Sequence, residues 1–149
     1  MKKSWWKVPL YCMAASFLCY VLTVRILGQF TLTTLPDGTI TVDNTRWMIL
    51  SSLLFLAVIV VGGIFVFSKM TRKELFYSAS VLVAANALFG LISYKEQGMF
   101  AVYWSILSEW NGFVADLLAR INLNLWVSAV IIWALPYLFI LFGKKDVQK

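Results

Sequence analysis

The chain has no histidine, which removes the side chain that most often serves as a general base and a frequent metal ligand. Charge is scarce too: 13% of residues are Asp, Glu, Lys or Arg, against roughly 25% in ordinary soluble domains. With 61% hydrophobic residues, that much charge cannot cover a water-facing surface, and lipid is the expected solvent. There are two cysteines, Cys12 and Cys19, seven residues apart in one apolar run. On a helix they are separated by about 10 Å along the axis, more than the roughly 7 Å between Cα atoms that a disulfide tolerates, so they read as small packing residues.

Motifs that carry chemistry are missing as well. There is no phosphate-binding glycine loop, zinc-ligand spacing, serine elbow or dinucleotide fingerprint, and no internal repeat or low-complexity tract. These absences predict a protein without catalytic residues, metal or cofactor, and the chain is not read as an enzyme. The net charge of +6 does not point to nucleic acid, because the basic residues stand in short clusters between apolar runs instead of sharing one exposed face.

What is present is a set of long apolar runs. A bilayer core needs about 20 helical residues, and four stretches meet that length: about 8–27, 47–67, 75–94 and 125–142. The basic start, Met1-Lys2-Lys3, resembles that of a secretory signal peptide. No small-residue cleavage site follows it, so the first stretch is expected to stay as a span. Lys2, Lys3, Lys7, Lys69, Arg72, Lys73, Lys144, Lys145 and Lys149 fall on one side of this map, and Arg25, Arg46, Lys95 and Arg120 on the other. Because Lys and Arg near span ends are retained inside, both termini are expected in the cytoplasm, in a multi-pass protein of the cell membrane. The acidic residues lean the other way: Asp37, Asp43, Glu96, Glu109 and Asp116 outside, Glu74 and Asp146 inside. Trp5, Trp6, Tyr77 and Tyr137 are expected near the inner interface, and Trp47, Tyr94 and Trp126 near the outer one. Pro136, within the last span, should bend it or leave a carbonyl in need of a partner.

The sequence therefore predicts a single all-α membrane domain over residues 1–149 with four transmembrane helices, carrying two further outer elements. Threonine-rich, β-branched segments flank Pro36-Asp37-Gly38, a strong turn signal, which predicts a β-hairpin over about 31–42. Between Gly98 and Asn122, the residues Phe100, Tyr103, Leu107, Trp110, Val114, Leu117 and Ile121 recur at helical spacing, with Ser105, Glu109, Gly112, Asp116 and Arg120 on the opposite face. This pattern predicts an amphipathic helix over about 98–122, or two shorter ones broken at Asn111-Gly112, lying in the outer interface. A fifth span would instead place Glu109, Asp116 and Arg120 in hydrocarbon, at roughly 2.5–3.5 kcal/mol each.

Few polar residues remain as candidates for a site. Asn86 is the one amide deep in a span and shares a face with Ala79, Gly90 and Ser93, a pattern that favours close helix packing. Gly62-Gly63 suggests close contact or a local hinge. Arg25 lies about one turn inside the outer end of its span and is expected to snorkel, or else to pair with Glu109 or Asp116 beside a small outward-facing pocket. Asp116 and Arg120 are spaced to pair along one helix. The leading expectation is a protein that works by association in the bilayer, as a homo-oligomer or an accessory subunit of a membrane complex. The alternative is a small transporter or channel component with a polar route near Asn86 and Arg25. An intramembrane lipid-modifying enzyme using Glu109 or Asp116 ranks below both.

Overall fold

A computed structural model describes residues 4–96 and 98–145; Lys2, Lys3, Asp146 and Lys149 of the charge map lie outside the described residues. Four helices are long and apolar enough to cross a membrane: α1 (Lys7–Thr31), α2 (Asn44–Phe67), α3 (Arg72–Glu96) and α6 (Leu125–Phe142). By composition, this is a multi-pass membrane protein. Two short helices, α4 (Met99–Leu107) and α5 (Gly112–Arg120), join α3 to α6.

Local chemistry sets the helix ends, and three of the four long helices run past their apolar cores. Asp43 starts α2 by accepting hydrogen bonds from the backbone N–H groups of Thr45 and Arg46 at 2.9 and 3.1 Å, which moves its start back to Asn44. Thr71 and Glu74 form a capping box at α3: the Glu74 N–H donates to Thr71 Oγ1 at 3.2 Å, and the Thr71 N–H donates to Glu74 Oε2 at 3.0 Å. Helix α1 continues past Leu27 through a widened turn at Thr23–Leu27 and ends at Thr31, whose hydroxyl donates to the Leu27 and Gly28 carbonyls. Helix α6 has the expected bounds. At Leu135 it tightens to a 3₁₀ winding, with the Leu135 N–H donating to the Ile132 carbonyl, so Pro136 is absorbed without ending the helix.

The hairpin is present but shorter than 31–42, because Thr31 belongs to α1. Strands β1 (Leu32–Thr34) and β2 (Ile40–Val42) pair antiparallel, with Thr33 opposite Thr41. The Gly38 N–H donates to the Leu35 carbonyl, and Gly38 takes φ 83°, a conformation that suits glycine and closes the turn. Asp37 accepts from both the hydroxyl and the N–H of Thr39, at 2.6 and 3.0 Å, and these bonds hold its carboxyl below its ordinary pKa.

At the opposite end, the chain ties its own basic clusters together. The Arg72 N–H donates to the Lys144 carbonyl and the Lys144 N–H to the Met70 carbonyl, which puts the end of α6 beside the α2–α3 turn. Ser78 of α3 accepts from the Val8 N–H and donates to the Trp5 carbonyl, bringing the start of α1 to the same end. Lys7, Lys69, Arg72, Lys73, Lys144 and Lys145 thus share one end of the bundle, and the hairpin occupies the other. Tyr94 meets Trp126 at the hairpin end with ring centroids 5.5 Å apart, as their aromatic character suggests.

Inside the basic half, Tyr11, Phe67 and Phe139 form an aromatic trio with centroids 4.8–5.7 Å apart, Tyr11 standing edge-on to both phenylalanines. Gly62 makes room for it and Gly63 makes room for the Phe142 ring, so close contact is their role. A Cβ on Gly62 would come within 2.6 Å of the Tyr11 ring, and one on Gly63 within 2.4 Å of the Phe142 ring. Gly63→Val is therefore expected to cost about 1–3 kcal/mol by overpacking, measured as a lower unfolding temperature in detergent. Gly28→Ala, which meets nothing closer than 3.5 Å, should leave that temperature nearly unchanged.

Candidate functional site

The segment from 98 to 122 departs most from expectation. It does not lie across the end of the bundle. Helix α4 descends along α3, with Phe100 and Trp104 against Phe89 at centroid distances of 6.0 and 5.2 Å. The chain then reverses through a 3₁₀ turn at Glu109–Asn111, and α5 climbs back along α2. Three contacts mark the climb: Phe113 on Phe55, Asp116 on Trp47 and Arg120 on Asn44. The result is a helical hairpin inserted into the bundle.

The reversal has a local cause. Ser108 folds its hydroxyl onto the Trp104 carbonyl at 2.9 Å, and the Asn111 N–H donates to the Ser108 carbonyl, so polar side chains compete with the helix ladder just before Gly112. The break takes in Glu109–Asn111, slightly before the expected Asn111-Gly112. At its tip the Trp110 N–H donates to Ser16 Oγ at 3.4 Å. Ser16 stands nine residues into α1 and fifteen short of its end, about 14 Å from one end and about 23 Å from the other. The tip is therefore deep in the bundle, where the Trp110 indole lies between Phe55 and Phe139.

The two faces read from the sequence do not divide cleanly between the bundle and its surroundings: Trp110, on the apolar face, is 3% exposed, while Ser105 and Arg120, on the polar face, are exposed. Tyr103 and Ile121, on the apolar face, are 59% and 61% exposed. Glu109, Gly112 and Asp116, on the polar face, line together with Ser108 an inner cavity of about 290 Å³ walled on its other sides by Cys19 and Thr23 of α1 and by Trp47, Ser51 and Phe55 of α2. In lipid, the apolar face of a helix turns outward and its polar groups must find partners inside the protein. Of the two forms expected for this segment, one helix or two shorter ones, it takes the second: α4 and α5, broken at Glu109–Asn111.

Two carboxylates meet in this cavity. Asp116 Oδ2 accepts from the Trp47 indole N–H at 2.9 Å. Glu109 is raised above its ordinary pKa by burial first and by the nearby Asp116 charge second. Asn111 is 3% exposed and lines the same cavity. Its side-chain amide has no hydrogen-bond partner among the described residues, and neither of its polar atoms is sealed off from open space, so the amide faces the void. No basic side chain lines the cavity. A second void of about 350 Å³ shares Trp47 and Asp116 with it and reaches Val42, Asn44 and Arg120 at the hairpin end, giving the site a mouth.

The other candidates lie elsewhere. Arg25 is exposed beside a separate surface groove with Tyr20, Val24 and Gln29, and pairs with neither Glu109 nor Asp116. Asn86 is buried on α3 and is not among the residues lining the cavity. Asp116 and Arg120 do not pair with each other: Arg120 donates to Asn44 at 3.4 Å, and the one ion pair among the described residues joins Arg46 to Asp43 at 3.2 Å. Among those residues, no three His, Cys, Asp or Glu side chains cluster as metal ligands. The sequence reading missed Asn111 and Trp47 as site residues; a Ser, Asn and Gly within five residues of an otherwise apolar run was the available signal. Compared with protein-family models, curated proteins and solved structures, the chain matches none.

Two outcomes follow from this geometry. Trp110→Ala should destabilise the protein by about 3–5 kcal/mol, far more than Trp126→Ala, as read by unfolding in detergent. Because the folded state raises the Glu109 pKa, the stability linked to its proton is fully present below the unfolded value and is lost as pH rises through the folded one. Glu109→Gln should accordingly raise the unfolding temperature at pH 8 and make little difference at pH 4.

Proposed function

We propose that this protein resides in the cell membrane with both termini in the cytoplasm, and that it binds a small cationic solute in the Glu109–Asp116 cavity. In this reading it acts as a small transporter or as the solute-binding component of a membrane complex, without catalysis. The observation that carries the reading is the charge imbalance of the cavity: two carboxylates and an unpartnered amide, with no basic residue in the lining. Partly buried carboxylates are stabilised by a counter-charge or by protonation, and a bound cation supplies the first. Phe55, Trp47 and Phe113 add π faces that attract cations. The basic cluster at the far end supports a cytoplasmic placement of that end, so the cavity mouth would face outside. This reading moves the polar route from Asn86 and Arg25 to Glu109, Asn111 and Asp116.

The test is equilibrium binding of tetramethylammonium to the full chain in phosphatidylcholine nanodiscs, followed by calorimetry. Glu109→Gln and Asp116→Asn should each weaken binding about tenfold or more, the loss of one charge-assisted contact, while Arg25→Leu and Asn86→Leu leave it unchanged. Equal binding by all four variants and the parent would rule the cavity out.

A second reading is association, as a homo-oligomer or with a membrane-protein partner. It is supported by the β-hairpin, whose two strands leave their outer edges unpaired with Leu32, Ile40 and Val42 exposed. Crosslinking from Ile40→Cys in native membranes should capture a partner at the hairpin; capture of nothing, with a monomeric mass in nanodiscs, removes this reading.

A further inference from the structure

The carboxylate cavity does not stand alone. Cys19 and Leu54, which line it, also line a groove of about 360 Å³ between α1 and α2. Ala14, Ala15 and Ala57 leave that groove open, and Leu18, Val58 and Val61 complete its apolar walls. The one polar group at its edge, the Tyr11 hydroxyl, is already committed to the Val58 carbonyl at 2.6 Å. From Tyr11 to Leu22 the groove follows α1 for about 16 Å. Ala14 and Ala57 are exposed on the outer surface of the bundle, so the groove is open to whatever solvates the helices.

An apolar groove that shares Cys19 and Leu54 with a carboxylate-lined chamber matches a ligand with two unlike ends. We infer that the cavity and the groove together form one site for a single-chain cationic amphiphile, its ammonium head held by Glu109, Asp116 and Asn111 and its alkyl tail lying between α1 and α2. The inference rests on the cationic-solute reading and goes beyond it by naming the tail. The head carries no phosphate or sulfate, because either anion would meet two carboxylates in the cavity, and Arg120, the basic side chain nearby, lines the adjoining void and not the cavity. Asn111 adds an amide oxygen able to accept from an N–H head and an amide nitrogen able to donate to a hydroxyl next to it. The alternative occupant of the groove is an ordinary acyl chain of the bilayer, which would be indifferent to the cavity.

The experiment uses the full chain in phosphatidylcholine nanodiscs and a dodecylammonium probe bearing a photoreactive diazirine at the tail end. Mass spectrometry after irradiation is expected to place the label on α1 and α2 around Ala14 and Ala57. Dodecyltrimethylammonium should suppress this labelling, while dodecyl sulfate and dodecyl maltoside, which carry the same chain into the bilayer, should not. Ala57→Leu and Ala14→Leu, which fill the groove without touching the cavity, should weaken dodecyltrimethylammonium about tenfold and leave tetramethylammonium binding unchanged. Labelling that all three dodecyl compounds suppress equally, or that none suppresses, identifies a bulk acyl chain and overturns the inference. Groove variants that do not alter dodecyltrimethylammonium binding while tetramethylammonium still binds also overturn it, and leave the cationic cavity standing. Failure of both quaternary ions to bind removes the two readings together.

Discussion

The Trp110 indole lies between Phe55 of α2 and Phe139 of α6, while its backbone N–H donates to Ser16 of α1. One residue from the connection between the third and fourth long helices thus touches three of the four: α1, α2 and α6. Its 3% exposure places it among the most buried large side chains of the bundle. In water, burial of such a ring would be the whole explanation. In lipid, where tails are as apolar as the side chains, close packing and satisfied hydrogen bonds must hold the helices together, and the wedge supplies both.

The cavity follows from that wedge. A turn inserted at mid-bundle carries polar groups with it, since a helix break leaves backbone and Ser or Asn side chains that must be satisfied where they lie. Ser108 and Ser16 answer part of this demand within the protein. Glu109 and Asn111 are left facing open space, and Asp116 leans on a single indole donor. The insertion that tightens the core on its Trp110 side therefore leaves it loosely packed and polar on the Glu109 side. The same hairpin serves as a structural wedge and as one wall of a site, and the two roles meet within three residues.

At the basic end, the chain solves the opposite problem. Backbone bonds between Met70, Arg72 and Lys144 hold several lysines and arginines near one another without ion pairs among the described residues there. Like charges at that density repel, and their gathering is tolerable where water or anionic headgroups solvate them. The tight aromatic trio of Tyr11, Phe67 and Phe139, admitted by Gly62, closes the bundle above this cluster. A tightly packed half and a half with an open polar chamber are thus set end to end.

Much of this architecture was legible in the residues. Apolar runs of spanning length, the Pro36-Asp37-Gly38 turn and the segregation of lysines are local or compositional properties, and the long helices, the hairpin and the shared basic end follow from them. The Thr71–Glu74 capping box was equally local and was simply unread. What the residues could not decide was the direction in which the 98–122 segment turns its polar face. Periodicity defines two faces of a helix, but which of them meets protein depends on the gap left between α1, α2 and α6. The contacts that fill that gap join residues as far apart in the chain as Ser16 and Trp110. The cavity, with Glu109, Asn111 and Asp116 in one wall and Trp47 in another, exists only once those distant helices have packed.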